Sequence, residues 1–191
     1  MGRLAGMKCY LIGAMDRVPD GGVTWRADFT PWLQQRGVFV MNPADKPVLY
    51  HTNEFDARDD INRMKQEGRY AEIRPKYGDS VRGVDLRMVD ESSFLPCYLD
   101  LETHPCGTYD EWFKANSQKK PIITVVKQGK VNAPNWLFMS IPHEFIFDTF
   151  EQAKAYLEHI DQDEEIDTLG RWRFFDWPRL VKETQDAYGK F

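Results

Sequence analysis

The sequence predicts an α/β fold: a Rossmann/flavodoxin-like parallel sheet of about five strands with helices on both faces. Three observations lead there. Short apolar runs recur at 7–15, 38–43, 93–101 and 121–126, and stretches of helical spacing separate them. Gly, Pro and Asn residues punctuate the ends of the runs, as in "DRVPDGG" and "MNP". At 191 residues, 42% hydrophobic and 14% aromatic, the chain has the length for one domain with a real core and is no disordered polar chain.

The elements follow in order. "MKCYLIGAM" (7–15) reads as a first strand, with an expected span of 7–13, and a Gly-Pro-Asp-rich loop follows it. Thr24 is the expected cap of a helix that carries Trp25, Phe29, Trp32 and Leu33 and ends at Gly37, with Pro31 expected to kink or shorten it. "VFVMNP" is a second strand, expected within 37–41 and stopped by Asn-Pro. From Ala44 to Ser80 the pattern is polar, with one charged helix expected at 55–68 and irregular loop around it. That stretch reads either as a solvated excursion or as a lid. "SVRGVDLRMVDES" (80–92) reads as a helix, and "SFLPCYLDL" as a third strand whose core is 93–100. A helix then begins near Gly107, a strand covers 121–126, and a short strand runs into a helix within 143–160, capped by Asp148 or Thr149. Residues 1–160 are expected to form the domain. The aromatic extension 161–191 is expected to pack on it or on a neighbouring subunit.

Charge and cysteines exclude several classes. With 25 basic against 30 acidic residues, a formal net charge of −5, there is no basic stripe to neutralise a nucleic-acid polymer. A small anionic ligand remains compatible, since local groups hold a phosphate regardless of net charge. No run approaches the ~20 apolar residues of a membrane span, and the N-terminal segment reads as a strand rather than a signal peptide. Cys9, Cys97 and Cys106 have no CxxC spacing, which predicts reduced thiols in a cytoplasmic protein. Cys106, beside His104, is a minor nucleophile candidate. His51, His143 and His159 form no ligand pattern, so neither a metal nor a cofactor is expected.

In a parallel sheet, ligands bind beyond the carboxyl ends of the strands. The loop after the first strand (Gly13, Asp16, Arg17) and the loop after the third (Asp100 to Thr108) should emerge there. Asp110 and Glu111 fall in the first turns of the next helix, whose positive end is expected to hold a carboxylate ionised. Neighbours on a helix diverge by about 100°, so only one of them faces a cleft. Spacing does not choose between them. Asp85 reads most simply as a surface residue paired with Arg82 or Arg87. Asp90 reads as a helix-end charge, and Asp100 as a loop cap or a second-tier site residue. Trp25 is a candidate to stack a base, or simply core.

Three pieces in order, "YLIGAM" (10–15), "VDLRMVDESSFLPCYLDL" and "GTYDEWFKANSQKKPIITV", resemble the nucleoside 2-deoxyribosyltransferase superfamily, which includes the 2'-deoxynucleoside 5'-phosphate N-hydrolases. The resemblance covers residues 7 to 126. It implies Glu111 as nucleophile, Asp85 as the acid that serves the leaving base, and Tyr10 as a hydrogen-bond partner of the nucleophile. It also implies a small-molecule nucleoside or nucleotide substrate and a homo-oligomer with shared active sites. Paired acids suit the chemistry independently: one carboxylate captures the oxocarbenium-like C1' while a second protonates the base. Gly13, Asp16, Arg17, Trp25, Asp100, Gly107 and Thr108 are the expected substrate contacts. The sequence departs from the family pattern at Pro105, where relatives place an Asp or Ser for the sugar's 5' end, and it lacks a compact Gly-Ser phosphate cradle after the first strand. Transfer to another base is the first expectation. Hydrolysis of a (deoxy)nucleoside 5'-monophosphate or another N-riboside, or a non-catalytic nucleotide-binding module, are the alternatives.

Overall fold

The structure, a computed structural model, describes residues 2–46, 53–162 and 166–189. Its strands are β1 (Lys8–Tyr10), β2 (Ile12–Gly13), β3 (Phe39–Met41), β4 (Leu95–Leu99), β5 (Ile122–Val126) and β6 (Ile146–Phe147). Its helices are α1 (Val23–Gln34), α2 (Glu54–Gln66), α3 (Tyr70–Tyr77), α4 (Val84–Glu91), α5 (Cys106–Ser117), α6 (Asn135–Ser140), α7 (Phe150–Gln162) and α8 (Arg173–Tyr188).

β1 and β2 are two pieces of one extended run that changes partner at Leu11. β1 pairs with β3, and β2 pairs with β4. The Leu11 amide donates to the Met41 carbonyl at 3.1 Å, and Cys9 bridges to Phe94, so the two ladders join across the run. β4 pairs with β5 and β5 with β6, and every pairing is parallel. Counting the first run as one strand, the spatial order is second, first, third, fourth, fifth, which is the flavodoxin-like winding. The switch point lies between the first run and β4. β5, "IITVV", is buried at all five positions, as a β-branched strand covered on both faces must be.

α1 and α7 share one face of the sheet. Trp25 and Phe29 of α1 both pack on Phe150, with ring centroids 5.5 Å apart in each case. α4 and α5 cover the other face, where Trp112 is 1% exposed and its indole N–H donates to Thr124 Oγ1 at 3.1 Å. α2 and α3 enclose a small separate cluster of Ala57, Met64 and Tyr77. At the far end, the Trp172 indole N–H donates to the Tyr156 hydroxyl at 2.8 Å, and Arg171 Nη2 donates to Asn116 Oδ1 at 2.8 Å. These contacts pack the start of the C-terminal extension on the body of the domain. Among the described residues, no helix is long and apolar enough to cross a membrane.

Several local expectations are corrected. α1 runs through Pro31 without ending there. Its cap is not Thr24: Gly22, at φ 72°, takes the cap position, and Asp20 accepts from the amides of Gly22 (2.9 Å) and Thr24 (3.1 Å). Thr24 already lies inside the helix, so its side chain is past the position that caps. Residues 70–77 form a helix rather than loop, and the helix expected at 80–92 is α4 preceded by a π-helical segment, Gly78–Gly83, bracketed by two poor helix formers. Thr149 caps α7, its hydroxyl accepting from the Gln152 amide at 3.3 Å, while Asp148 accepts from the Lys130 amide instead. His51 lies outside the described residues.

The carboxyl end of the first run is fixed by a buried arginine. Arg26 is 1% exposed, and its guanidinium donates to the carbonyls of Leu11 (3.3 Å), Gly13 (2.9 Å) and Gly22 (2.8 Å). Space there is tight: a Cβ at Gly13 would lie 3.0 Å from both Trp25 Cζ2 and the Tyr98 carbonyl. Glycine at 13 thus serves close packing of the strand against α1 and β4. Replacing Arg26 by Met keeps the bulk and removes the side-chain donor from three carbonyls, of which Gly22 keeps its intrahelical bond as the cap of α1 and Leu11 and Gly13 lose theirs. Buried unpaired acceptors cost about 1–3 kcal/mol each, so Arg26→Met is expected to lower unfolding stability by about 3 kcal/mol or more, read from the midpoint of urea denaturation. A midpoint within error of the parent would show that these bonds contribute nothing net.

Candidate active site

Three elements deliver three side chains to one point. Tyr10 stands on β1, Asp85 in the first turn of α4 and Glu111 in the second turn of α5. The Tyr10 hydroxyl is 2.7 Å from Glu111 Oε1 and 3.2 Å from Asp85 Oδ1. Tyr10 is 1% and Glu111 9% exposed, and the Asp85 side chain is 15% exposed. The expectation that only one of the neighbours faces the cleft is corrected: helical geometry separates them in depth, Glu111 buried at the floor and Asp110 at the rim, where it pairs with Arg82 Nη2 at 2.7 Å. Arg87 pairs with Glu91, so neither arginine takes the partnership that the simplest reading gave Asp85.

Asp85 is held instead by Lys46. Its ammonium is 2.7 Å from Asp85 Oδ1 and also pairs with Glu54 at the start of α2. The Lys46 side chain is 5% exposed, which makes this a buried triad of two acids and one base. No motif marks Lys46 or Glu54. They lie in the polar stretch that reads as a solvated excursion or a lid, and the triad ties that stretch to α4, while Phe55 packs against Gly21 before α1.

A cavity of about 700 Å³ opens over these groups, a size suited to a small organic ligand. Tyr10, Gly13, Asp16, Asp85, Gly107, Thr108 and Glu111 all line it. A Cβ at Gly107 would meet no atom within 4 Å, so the start of α5 faces open space. Of the remaining expected contacts, Arg17 is not among the lining residues and its side chain is 64% exposed, 4.0 Å from Asp16. Trp25 and Asp100 line a different cavity, of about 660 Å³, between α1, α7 and the ends of β4 and β5. Trp25 is stacked on Phe150 at an interplanar angle of 19° and is 8% exposed: it is core, with an edge on that second cavity. Asp100 is saturated as a loop cap by Lys127 Nζ (2.8 Å), Gln128 Nε2 (2.7 Å) and the Glu102 amide (3.0 Å). His104 and Cys106 sit on the rim of the acid cavity, and Cys106 is exposed. Cys9 and Cys97 are unpaired thiols raised in pKa by burial.

The electrostatics reverse one expectation. The positive end of α5 does not keep Glu111 ionised: burial, reinforced by the charge of Asp85, raises it to about 8. Burial also raises Asp85, with the Glu54 charge adding to it and Lys46 opposing it. The dipole effect fades within a helix's first turn, and Glu111 lies beyond that turn in a dry site, so desolvation outweighs it. Among the described residues, no group of three or more His, Cys, Asp and Glu side chains has the geometry to hold a metal ion. Comparison of the chain with protein-family models and with curated proteins finds no match.

Burial of Glu111 ties stability to pH. Its folded pKa, about 8, lies above the reference value of 4.5. The folded state therefore binds the proton more tightly. Stability is fully present below about 4.5, declines as the unfolded state ionises, and levels off once pH passes about 8. Glu111→Gln is expected to remove this component, so that the variant gains on the parent by roughly 2–4 kcal/mol between pH 4.5 and 9. Denaturant unfolding across that range checks it, and parallel stability curves for the two proteins would contradict a raised Glu111.

Proposed function

We propose that the protein cleaves the N-glycosidic bond of a 2'-deoxynucleoside and transfers the deoxyribosyl group to another base. The observation that carries this reading is the pair of buried carboxyl groups, on different helices, joined by one tyrosine hydroxyl at the floor of a single cavity. Glu111 attacks C1' and holds the sugar as an ester. Asp85 delivers a proton to the departing base and removes one from the incoming base. Tyr10 keeps the Glu111 carboxylate aimed. A binding module has no need to bury two acids against each other, since holding a ribose hydroxyl takes one exposed acceptor.

A nucleoside fits better than its monophosphate. The amides at the start of α1 are already taken by Asp20, and the acid cavity carries Asp16, Glu54, Asp85, Asp110 and Glu111 against Arg82, itself paired with Asp110. A phosphate dianion would enter against that charge. The start of α5, open at Gly107 and Thr108, is the place for the neutral 5' hydroxyl. The same reading makes the protein a cytoplasmic homo-oligomer with shared sites. Its free cysteines suit a reducing compartment, and α6 exposes Trp136 and Met139, at 66% and 72%, as surface for a neighbour.

The test is incubation with deoxynucleosides and their monophosphates, with and without a second free base, followed by chromatography of the bases. Exchanged base is the expected product. Release that is indifferent to an added base would move the assignment to hydrolysis. Glu111→Gln is expected to lower turnover by ~10³-fold or more while keeping nucleoside affinity within about tenfold, because the amide keeps the shape and loses the charge. Asp85→Asn should cost less on substrates with a good leaving base. Turnover of Glu111→Gln within threefold of the parent would place the nucleophile elsewhere.

A further inference from the structure

Tyr10 has one hydroxyl hydrogen and two carboxyl oxygens in reach, at 2.7 Å on Glu111 and 3.2 Å on Asp85. A phenol donates once. Both contacts are hydrogen bonds together only when one acid is protonated and donates to the phenolic oxygen. Asp85 Oδ1 already faces the Lys46 ammonium at 2.7 Å, which favours its ionised form. The proton therefore sits on Glu111, at the shorter contact, and the donors run in one direction, from Glu111 to Tyr10 to Asp85.

Building on the proposed glycosyl transfer, we infer that Tyr10 is a proton conduit: the proton Glu111 carries at rest passes through the Tyr10 hydroxyl to Asp85 and leaves with the base. The step balances within the site. As Glu111 gives its proton to the Tyr10 oxygen, the Tyr10 hydroxyl proton moves to Asp85. Asp85 passes a proton to the base nitrogen, which also takes the electron pair of the breaking C1'–N bond. The freed Glu111 oxygen forms the bond to C1'. Tyr10 ends neutral and Asp85 ends as the carboxylate against Lys46, so no proton is drawn from solvent. Return of the proton from the incoming base runs the chain backwards.

Lys46 is then a positioning residue, holding Asp85 ready to receive. The other charged or titratable groups that bear on the pair are Glu54 from α2, Arg26 from α1 and Cys97 from β4. Glu54 is bound to Lys46, and Arg26 donates to backbone carbonyls. Among the described residues, Tyr10 alone hydrogen-bonds to both acids.

Tyr10→Phe keeps the ring and removes the conduit. Two substrates separate relay from support: an ordinary deoxynucleoside, whose base needs a proton, and a 4-nitrophenyl deoxyriboside, whose leaving group departs as an anion. On the deoxynucleoside, kcat of Tyr10→Phe is expected to fall by ~10²–10⁴-fold. On the nitrophenyl substrate at about pH 9, where solvent takes the Glu111 proton, the fall should stay under about tenfold. Equal losses on both substrates would reduce Tyr10 to a support for the carboxylate. A second readout needs no turnover. Carboxyl-carbon NMR of the parent should show Glu111 and Asp85 titrating as one coupled pair, and Tyr10→Phe should uncouple them. Superimposable titrations would overturn the shared proton. If the parent cleaves neither substrate while the titrations uncouple as expected, the glycosyl-transfer reading fails and the shared proton stands.

Discussion

Burying two carboxyl groups around one hydroxyl is the constraint to which the local architecture answers. Neither acid is stable there alone, because an ionised carboxylate out of water costs far more than its neighbours' packing returns. The site meets the cost with one hydroxyl, one ammonium and one retained proton. Tyr10 must come from the first run of the sheet, since only the strand at the switch point lies beneath both α4 and α5. The π-helical turns before α4 set the start of that helix, and with it Asp85, over the strand. Lys46 must come from the segment after β3, which brings α2 over the cavity through Glu54. The polar excursion is thereby anchored in part by an ion triad, with Phe55 packed against Gly21, and its own cluster of Ala57, Met64 and Tyr77 is separate from the main core.

Two buried cations divide the work at this edge. Arg26 gives its hydrogen bonds to backbone carbonyls and lies over the Trp25 ring at 4.6 Å, so it shapes the strand end and the loop beyond it, and its positive charge also works to lower Glu111. Among the described residues, Lys46 pairs with two carboxylates and favours the ionised form of Asp85. Geometry explains the allotment. A planar fork of five donors suits carbonyls converging from three directions, whereas a compact ammonium fits between two carboxyl groups. Exchanging the two residues would leave carbonyls unpaired at one site and a carboxylate undercompensated at the other.

How much of this is legible in the sequence follows from which interactions are local. The existence and position of the strands are legible because apolar runs and glycine stops are local signals, whereas their spatial order depends on pairings between distant segments and is not. Glu111 and Asp85 are singled out by a resemblance in the order of three short blocks; periodicity leaves Asp110 and Glu111 equivalent, and only the fold buries one and leaves the other at the rim. Lys46 and Arg26 carry no local mark. Each is one basic residue among many, and its importance comes from contacts with chain well away from it: 39 positions separate Lys46 from Asp85 (85 − 46), and 15 separate Arg26 from Leu11. Trp25 and Asp100 lie near the edge at which the sequence places a ligand, but away from the acid pair. The sheet has two faces at that edge, and both residues open onto the α1 and α7 side. The raised state of Glu111 was hidden for a related reason: a helix dipole can be read from sequence, but desolvation depends on everything packed around the group.

The acid-rich lining has a further meaning for the proposed chemistry. As the bond from C1' to the base breaks, positive charge grows on the sugar, and the surrounding field decides whether that charge is welcome. Asp16, Glu54 and Asp110 lie around the Asp85 and Glu111 pair, with Arg82 and Lys46 each already committed to carboxylates. The local potential is therefore negative where the cation forms. A neutral nucleoside feels little of that field when it binds, whereas the oxocarbenium-like state feels it in full. That difference between ground state and transition state is what accelerates a reaction, because an interaction felt equally by both would tighten binding and leave turnover unchanged. A phosphorylated substrate would sacrifice part of the advantage, since its own negative charge would oppose the field on entry. The same arrangement that makes the empty site costly to fold thus suits it to stabilising a transient cation.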